Sequence, residues 1–193
     1  TLLQMHSDDM IRDLIVMRLG DRRSFYPTMK VTVDQGVATL SGKVPSEAIE
    51  NRALRIARRT PAVNSVRDQL DVDAAARKTE KPAIGQADLA KAVAQKIAAN
   101  ITGTKAGKDW WFDGWRVEGR DNTWNLIVEV PEPGRVVLEG ELPQLDLVRQ
   151  AIESAVEVTG VQSLNSNLQL DPDFYNNNRS FPYYPYAYPF AYY

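Results

Sequence analysis

Few residues of this chain could carry out catalysis. Its 193 residues include one histidine, His6, and no cysteine, which almost excludes a Ser/His/Asp or Cys/His arrangement. Asp109, Asp113 and Asp121 surround a group of tryptophans and could form a carboxylate pair or an oxygen-ligand cation site. Acidic residues at turn and loop positions more often cap the local backbone. The sequence therefore favours a protein that is not an enzyme, with no metal site and no cofactor.

Basic residues form one candidate binding surface. Arg52, Arg55, Arg58 and Arg59 recur at helical spacing, so most of them share one side of a predicted helix. Such a surface could meet anionic lipid headgroups, where each basic residue contributes about 1 kcal/mol. Lys91 and Lys96, with Lys105 and Lys108 nearby, could add to it. The alternative is a solvated helix face whose arginines pair with Glu47 and Glu50.

Tryptophans form a second candidate surface. Trp110, Trp111, Trp115 and Trp124 lie within one short stretch, and such a group is hard to bury in the core of a small domain alone. Tryptophan is enriched at interface hot spots because it buries a large area at little entropic cost. The alternative is a local cluster packed beneath a hairpin, and both roles could hold for different rings.

The last residues, 172–193, differ in kind from the rest of the chain. Repeated prolines in this tail prevent a long helix or a central strand. Docking about ten rings could bury on the order of 1,000 Å², which is enough to offset the ordering of this segment. We favour docking on a neighbouring copy over folding back on the same chain, and stacking on a glycan is a further alternative. The predicted self-assembly residues of the tail are Phe174, Tyr175, Phe181, Tyr183, Tyr184, Tyr186, Tyr188, Phe190, Tyr192 and Tyr193.

Composition limits the class of partner. The net charge is -2 and the pI is near 5.5, which gives no support to a nucleic-acid binder. No run of about 20 apolar residues predicts a membrane span. The chain begins at Thr1 rather than Met, which a removed signal peptide or a trimmed chain would explain. We expect an exported protein that is periplasmic, envelope-associated or extracellular.

A repeated unit sets the domain organisation. Residues 30–73 and 127–171 align with each other, so that LSGKVP at 40–45 matches LEGELP at 138–143. The predicted divisions are a first domain at 1–73, a linker at 74–86, a second domain at 87–171 with an insertion at 102–125, and the tail at 172–193. The fold class predicted is α+β, with each domain ordered αββαβ and two helices covering a three-stranded mixed sheet.

Local signals place the elements of these domains. Ser7 caps a first helix that Gly20 ends, Gln35-Gly36 forms a turn between two strands, and a second helix runs from Pro45-Ser46 to about Thr60. In the second domain, residues 115–118 and 123–130 are predicted to form the arms of an extra tryptophan-rich hairpin, with its turn at 119–122.

Both units resemble the BON domain, named for osmotically inducible and nodulation proteins of bacteria. The resemblance rests on LSGKV at 40–44, VNSV at 63–66 and LDV at 70–72, and on their counterparts in the second unit. One departure is Ala62, which stands where the second unit has Gly160, the residue usual in the family. The resemblance implies an αββαβ fold, an envelope or periplasmic setting, no enzymatic activity, and association with phospholipid surfaces or larger envelope assemblies.

Two hypotheses follow. The first is a non-enzymatic exported structural protein that forms a homo-oligomer, filament or array through the tail and the tryptophan hairpin. The second is a periplasmic binding module that docks on anionic phospholipid or peptidoglycan through the arginines and lysines named above. Salt separates them, because binding through basic residues falls with ionic strength whereas aromatic assembly persists.

Overall fold

The structure is a computed structural model and describes residues 7–77, 84–108, 114–120 and 123–171. The helices and strands in these ranges are α1 (Asp8–Asp21), β1 (Lys30–Asp34), β2 (Val37–Val44), α2 (Glu47–Arg58), β3 (Ser65–Val72), α3 (Gln86–Asn100), β4 (Lys105–Lys108), β5 (Trp115–Glu118), β6 (Asn125–Glu132), β7 (Arg135–Leu142), α4 (Leu145–Val156) and β8 (Ser163–Leu170). A short 3₁₀ helix, Ala74–Arg77, follows β3. The predicted mixed α+β class is confirmed.

The strands form two sheets. The first has the order β1-β2-β3 and the second has the order β4-β5-β6-β7-β8. In each sheet the last strand pairs in parallel with its neighbour. The register is the same in both units, because Val37 lies opposite Ser65 in the first and the equivalent Arg135 lies opposite Ser163 in the second. The prediction of a three-stranded second sheet is wrong. The predicted hairpin arms at 115–118 and 123–130 correspond to β5 and β6, which pair antiparallel, and β4 pairs with β5 as a further strand, so the hairpin is part of the second sheet.

The first helix was predicted correctly at its start and wrongly at its end. The Ser7 side chain accepts a hydrogen bond from the Met10 backbone N–H at 3.2 Å, which satisfies one of the free donors of the first turn. The Asp8 carboxylate accepts from the backbone N–H groups of Gln35 and Gly36, both at 2.9 Å, and so ties this helix to the predicted turn between β1 and β2. Gly20 does not end the helix but lies inside it, fully buried.

One hydrophobic core runs through both units. Helix α1 is buried on two sides, with Ile11, Ile15 and Leu19 on one and Val16 and Gly20 on the other. A helix that is apolar on most of its circumference needs neighbours on each side. Accordingly, α1 packs on β1 and α2 of its own unit and on α4 and β8 of the second unit. The two units therefore form a single packed body.

Two backbone features recur in both units. Gly42 and Gly140 have φ values of +107° and +150°, and a Cβ there would lie 2.0 Å from the Thr28 carbonyl oxygen or 2.5 Å from that of Asn125. Glycine is required where the backbone adopts this conformation so close to another chain segment. Ala62 has φ +65° where Gly160 has +106°. The alanine therefore keeps the left-handed turn at this position and bears its strain.

Several predicted features lie outside the described residues. They are the tail at 172–193, Trp110 and Trp111, the three aspartates Asp109, Asp113 and Asp121, His6, and residues 78–83 of the linker.

Candidate interaction surfaces

The interface between the two units centres on a buried carboxylate. Asp13 is only 5% exposed, and its Oδ1 accepts hydrogen bonds from Arg12 of the same helix at 2.9 and 2.8 Å. Arg149 on α4 approaches the same oxygen with its Nε at 2.7 Å in an ion pair, although its N–H is not aimed for a hydrogen bond. Burial lowers the pKa of Arg12, but the hydrogen bond and charge of Asp13 outweigh this and leave the pKa raised.

Close backbone approach completes this interface. A Cβ on Gly20 would lie 2.9 Å from Ile152 Cδ1 on α4 and 3.2 Å from Ser166 Cβ on β8. The absence of a side chain at Gly20 therefore lets α1 sit directly against both elements of the second unit. We call α1 and α3 the front helices of their units. We call the last helix and last strand of a unit its back edge, which is α2 with β3 in the first unit and α4 with β8 in the second. The units thus pack front to back, with the front helix of the first on the back edge of the second.

The back edge of the first unit is not covered in this way. Strand β3 pairs with β2 in the same register as β8 pairs with β7. Each β3 residue that faces the helices therefore has an equivalent residue on β8. On β8 these are Leu164, Ser166, Leu168 and Leu170, all at most 6% exposed. On β3 they are Val66, Asp68, Leu70 and Val72, of which Asp68 and Val72 are exposed and the other two are half-buried. We call this β3 row, with the adjoining side of α2, the open edge.

Two features distinguish the open edge. Val72 is 40% exposed and is the one large exposed hydrophobic side chain among the described residues. Glu50 on α2 lies near Asp68 on β3, and burial followed by the charge of Asp68 raises the pKa of Glu50. The corresponding positions of the second unit hold Val148 and Ser166, both buried. The open edge therefore combines exposed apolar surface with a pair of carboxyl groups.

At the other end of the molecule, α3 is covered by its own unit. Strands β4 and β5 pack against α3, as do β6 and α4 of the same unit. Lys91 Nζ lies 5.8 Å from the centroid of the Trp115 ring, within range of a cation–π contact. Trp124 is partly buried and its indole lies over Gly119. The inserted strands thus close this end, and Trp115 and Trp124 pack within the second unit.

The predicted arginine surface is exposed as a group. Arg52, Arg55, Arg58 and Arg59 all face solvent at the C-terminal half of α2. In the described part of the chain no ion pair joins them to Glu47 or Glu50, and Glu50 instead contacts Asp68. Their place at a helix C-terminus complements the helix dipole. The four arginines therefore present free guanidinium groups on one helix.

The lysines predicted to join that surface are engaged elsewhere. Lys96 pairs with Glu157 at 3.1 Å, and Lys91 lies over Trp115. Both belong to the second unit, whereas the four arginines belong to the first. The structure therefore does not gather the basic residues into one patch.

The described residues contain no group of three or more His, Asp or Glu side chains placed to hold a metal ion. None of the described helices is long and apolar enough to cross a membrane.

Sequence reasoning missed the residues that join the units. Asp13, Arg149 and Ser166 attracted no notice, because each is polar and looks like a surface residue. A signal was available for Asp13, which occupies the second apolar side of α1 together with Val16 and Gly20. A charged residue within such a side predicts a partner charge on another element.

Comparison with known proteins identifies the family. The model of the BON domain matches residues 7–74 and 119–172, together more than half of the chain, and its second match begins after α3, β4 and β5. No curated protein matches the sequence. Among solved structures, the chain is similar to CdsD, described as a structural protein of the Type III secretion system of Chlamydia trachomatis, with 14% identity over 90% of this chain and 99% of that chain. The TM-score is 0.32, which supports no conclusion about this chain. The chain belongs to the BON-domain family and carries two BON regions in tandem.

Proposed function

We propose that this chain is a non-enzymatic, exported structural protein of the cell envelope that assembles with further copies of itself. The single observation that carries the proposal is the uncovered back edge of the first unit, whose counterpart in the second unit is covered by α1. A contact that joins this edge of one copy to an unlike part of the next copy propagates into a ring or a filament. The two packed units would then act together as one rigid building block.

The tail and the tryptophan hairpin are the proposed means of assembly between copies. A tail rich in phenylalanine and tyrosine has no long apolar run to place in a membrane, but it offers rings that bury large areas against protein. Trp110 and Trp111 are the hairpin residues proposed to join such contacts, since Trp115 and Trp124 pack partly within their own unit. We propose an envelope-associated or periplasmic setting because this is the setting that the BON family resemblance implies.

Mass by light scattering, with negative-stain imaging, tests this proposal. The comparison is between the full chain, a chain ending at Asp171, and a full-length variant whose ten tail rings are replaced by serine. We expect the full chain to be large or filamentous and the other two to be monomeric, at low and at high salt. Assembly that dissolves at high salt, or a monomeric full chain, would contradict the proposal.

A second candidate function is docking on anionic phospholipid or an envelope glycan such as peptidoglycan. The observation that favours it is the exposed arginine surface on α2, whose guanidinium groups pair with no described carboxylate. Replacing Arg52, Arg55, Arg58 and Arg59 by glutamine should abolish salt-sensitive flotation with anionic vesicles. Replacing the exposed Lys30 and Arg67 by glutamine serves as a control on the same unit.

A further inference from the structure

The open edge of the first unit corresponds, in the repeat, to the back edge of the second unit, which α1 covers. In the second unit, α1 shields the row from Leu164 to Leu170, and every member of that row is buried. In the first unit, the same row ends in Val72 at 40% exposure. One exposed valine with two half-buried apolar neighbours, Val66 and Leu70, at a place where the repeat has an interface, indicates a binding surface.

The described helices leave no candidate for this surface. The first front helix, α1, is held on the second unit by Asp13 and Gly20. The second front helix, α3, buries its large apolar side chains, Leu89, Val93 and Ile97, in its own unit, where β4, β5, β6 and α4 pack against it. A second copy of the chain therefore cannot cover the open edge with either front helix while its own fold stays intact. Among the segments outside the described residues, the tail is the longest and carries the most aromatic rings.

We propose that residues 172–193 of one copy dock on the open edge of a neighbouring copy. This inference rests on the proposed self-assembly and names the acceptor surface for it. An eight-residue strand such as β3 is about 26 Å long, which about eight extended residues of the tail would cover. The rings pack on Val66, Leu70 and Val72.

The polar chemistry of the two partners also matches. Glu50 and Asp68 lie near each other and present carboxyl groups beside the apolar row. The tail brings tyrosine hydroxyl groups that donate hydrogen bonds to carboxylates. Its one basic side chain, Arg179, supplies a charge opposite to theirs, and its one acidic side chain, Asp173, lies six residues away in sequence. Its prolines lack the N–H that a strand ladder needs, so the tail binds through side chains rather than by adding a continuous strand.

Binding of a labelled synthetic peptide of residues 172–193 to the chain ending at Asp171, measured by fluorescence anisotropy, tests the acceptor. We expect saturable binding that falls about tenfold or more in Val72→Glu, which would bury a charge beneath the rings. Gln69→Glu adds the same charge to the same strand on the opposite face and should leave affinity unchanged. Asp68→Lys, at a position already exposed, should also weaken binding by repelling Arg179.

The outcomes separate this inference from the proposed function. A peptide that binds equally to all variants, or not at all, overturns the open edge as the acceptor. If the full chain still forms assemblies that need the tail, the proposed function stands and only the acceptor is wrong. Equal loss of binding in Val72→Glu and Gln69→Glu also overturns the inference. Thermal unfolding of each variant establishes that it is folded.

Discussion

Removing the Asp13 carboxylate should loosen the joint between the two units. Its Oδ1 lies 2.8 Å from Arg12 Nη2 and 2.7 Å from Arg149 Nε. In Asp13→Ala, Glu153 is the one charged partner that Arg149 keeps among the described residues, and the Arg149 side chain is 19% exposed. The interface would then hold a partly buried cation opposite an apolar methyl group.

The expected cost lies between two limits. Breaking a fully buried ion pair costs about 3–5 kcal/mol, whereas an exposed pair contributes about 0–1 kcal/mol. Because Asp13 is buried and its two arginines are partly exposed, we expect Asp13→Ala to lower the free energy of unfolding by about 2–3 kcal/mol. Arg149→Met should cost about 1–2 kcal/mol, since Arg12 still neutralises Asp13, and the coupling between the two sites should be about 1 kcal/mol.

Urea unfolding of the parent, the two single variants and the double variant, followed by circular dichroism and tryptophan fluorescence, measures these values. Asp9→Ala is the matched control, because the Asp9 side chain is 80% exposed and also pairs with Arg12. It should cost at most about 0.5 kcal/mol. If Asp13→Ala costs no more than Asp9→Ala, or the coupling energy vanishes, the ion pair does not hold the units together.

Three further predictions concern backbone strain and pH. Gly42→Ala should destabilise the protein by about 2–4 kcal/mol in urea unfolding, because the added Cβ would clash with the Thr28 carbonyl oxygen at a residue with positive φ. Gly107→Ala is the control and should change stability little, because open space surrounds the position of its Cβ. Equal effects of the two substitutions would contradict this prediction. Ala62→Gly should stabilise by about 0.5–1 kcal/mol, since it relieves a left-handed alanine; a lower melting temperature would refute the strain. The raised pKa of Glu50 means that its ionised form is less favourable in the folded protein than in the unfolded chain. Glu50→Gln should therefore be more stable than the parent at pH 7 and should lose this advantage below about pH 4, where Glu50 of the parent is protonated. A stability advantage that does not change with pH would indicate another cause.

The sequence was sufficient to predict the elements whose signals are local. Alternating strands, the Gln35-Gly36 turn and the Ser7 cap each depend on a few neighbouring residues, so their positions follow from residue type and spacing. The repeat LSGKVP and LEGELP predicted two similar units, and the shared strand register bears this out. The family follows from the same repeated residues, because both units keep the glycine that the backbone conformation requires.

Tertiary structure alone decided how the units meet and which surfaces remain free. Gly20 looks like a helix end in sequence, yet its role is to admit Ile152 and Ser166, which lie more than a hundred residues away. The sequence predicted the pairing of β5 with β6 as a hairpin, but it gave no sign of β4, which joins the sheet by pairing with β5. Burial separates Val72 from Leu170, although the two occupy the same place in the repeat. Contacts between distant segments set these differences, so residue types and spacing, which act locally, could not predict them.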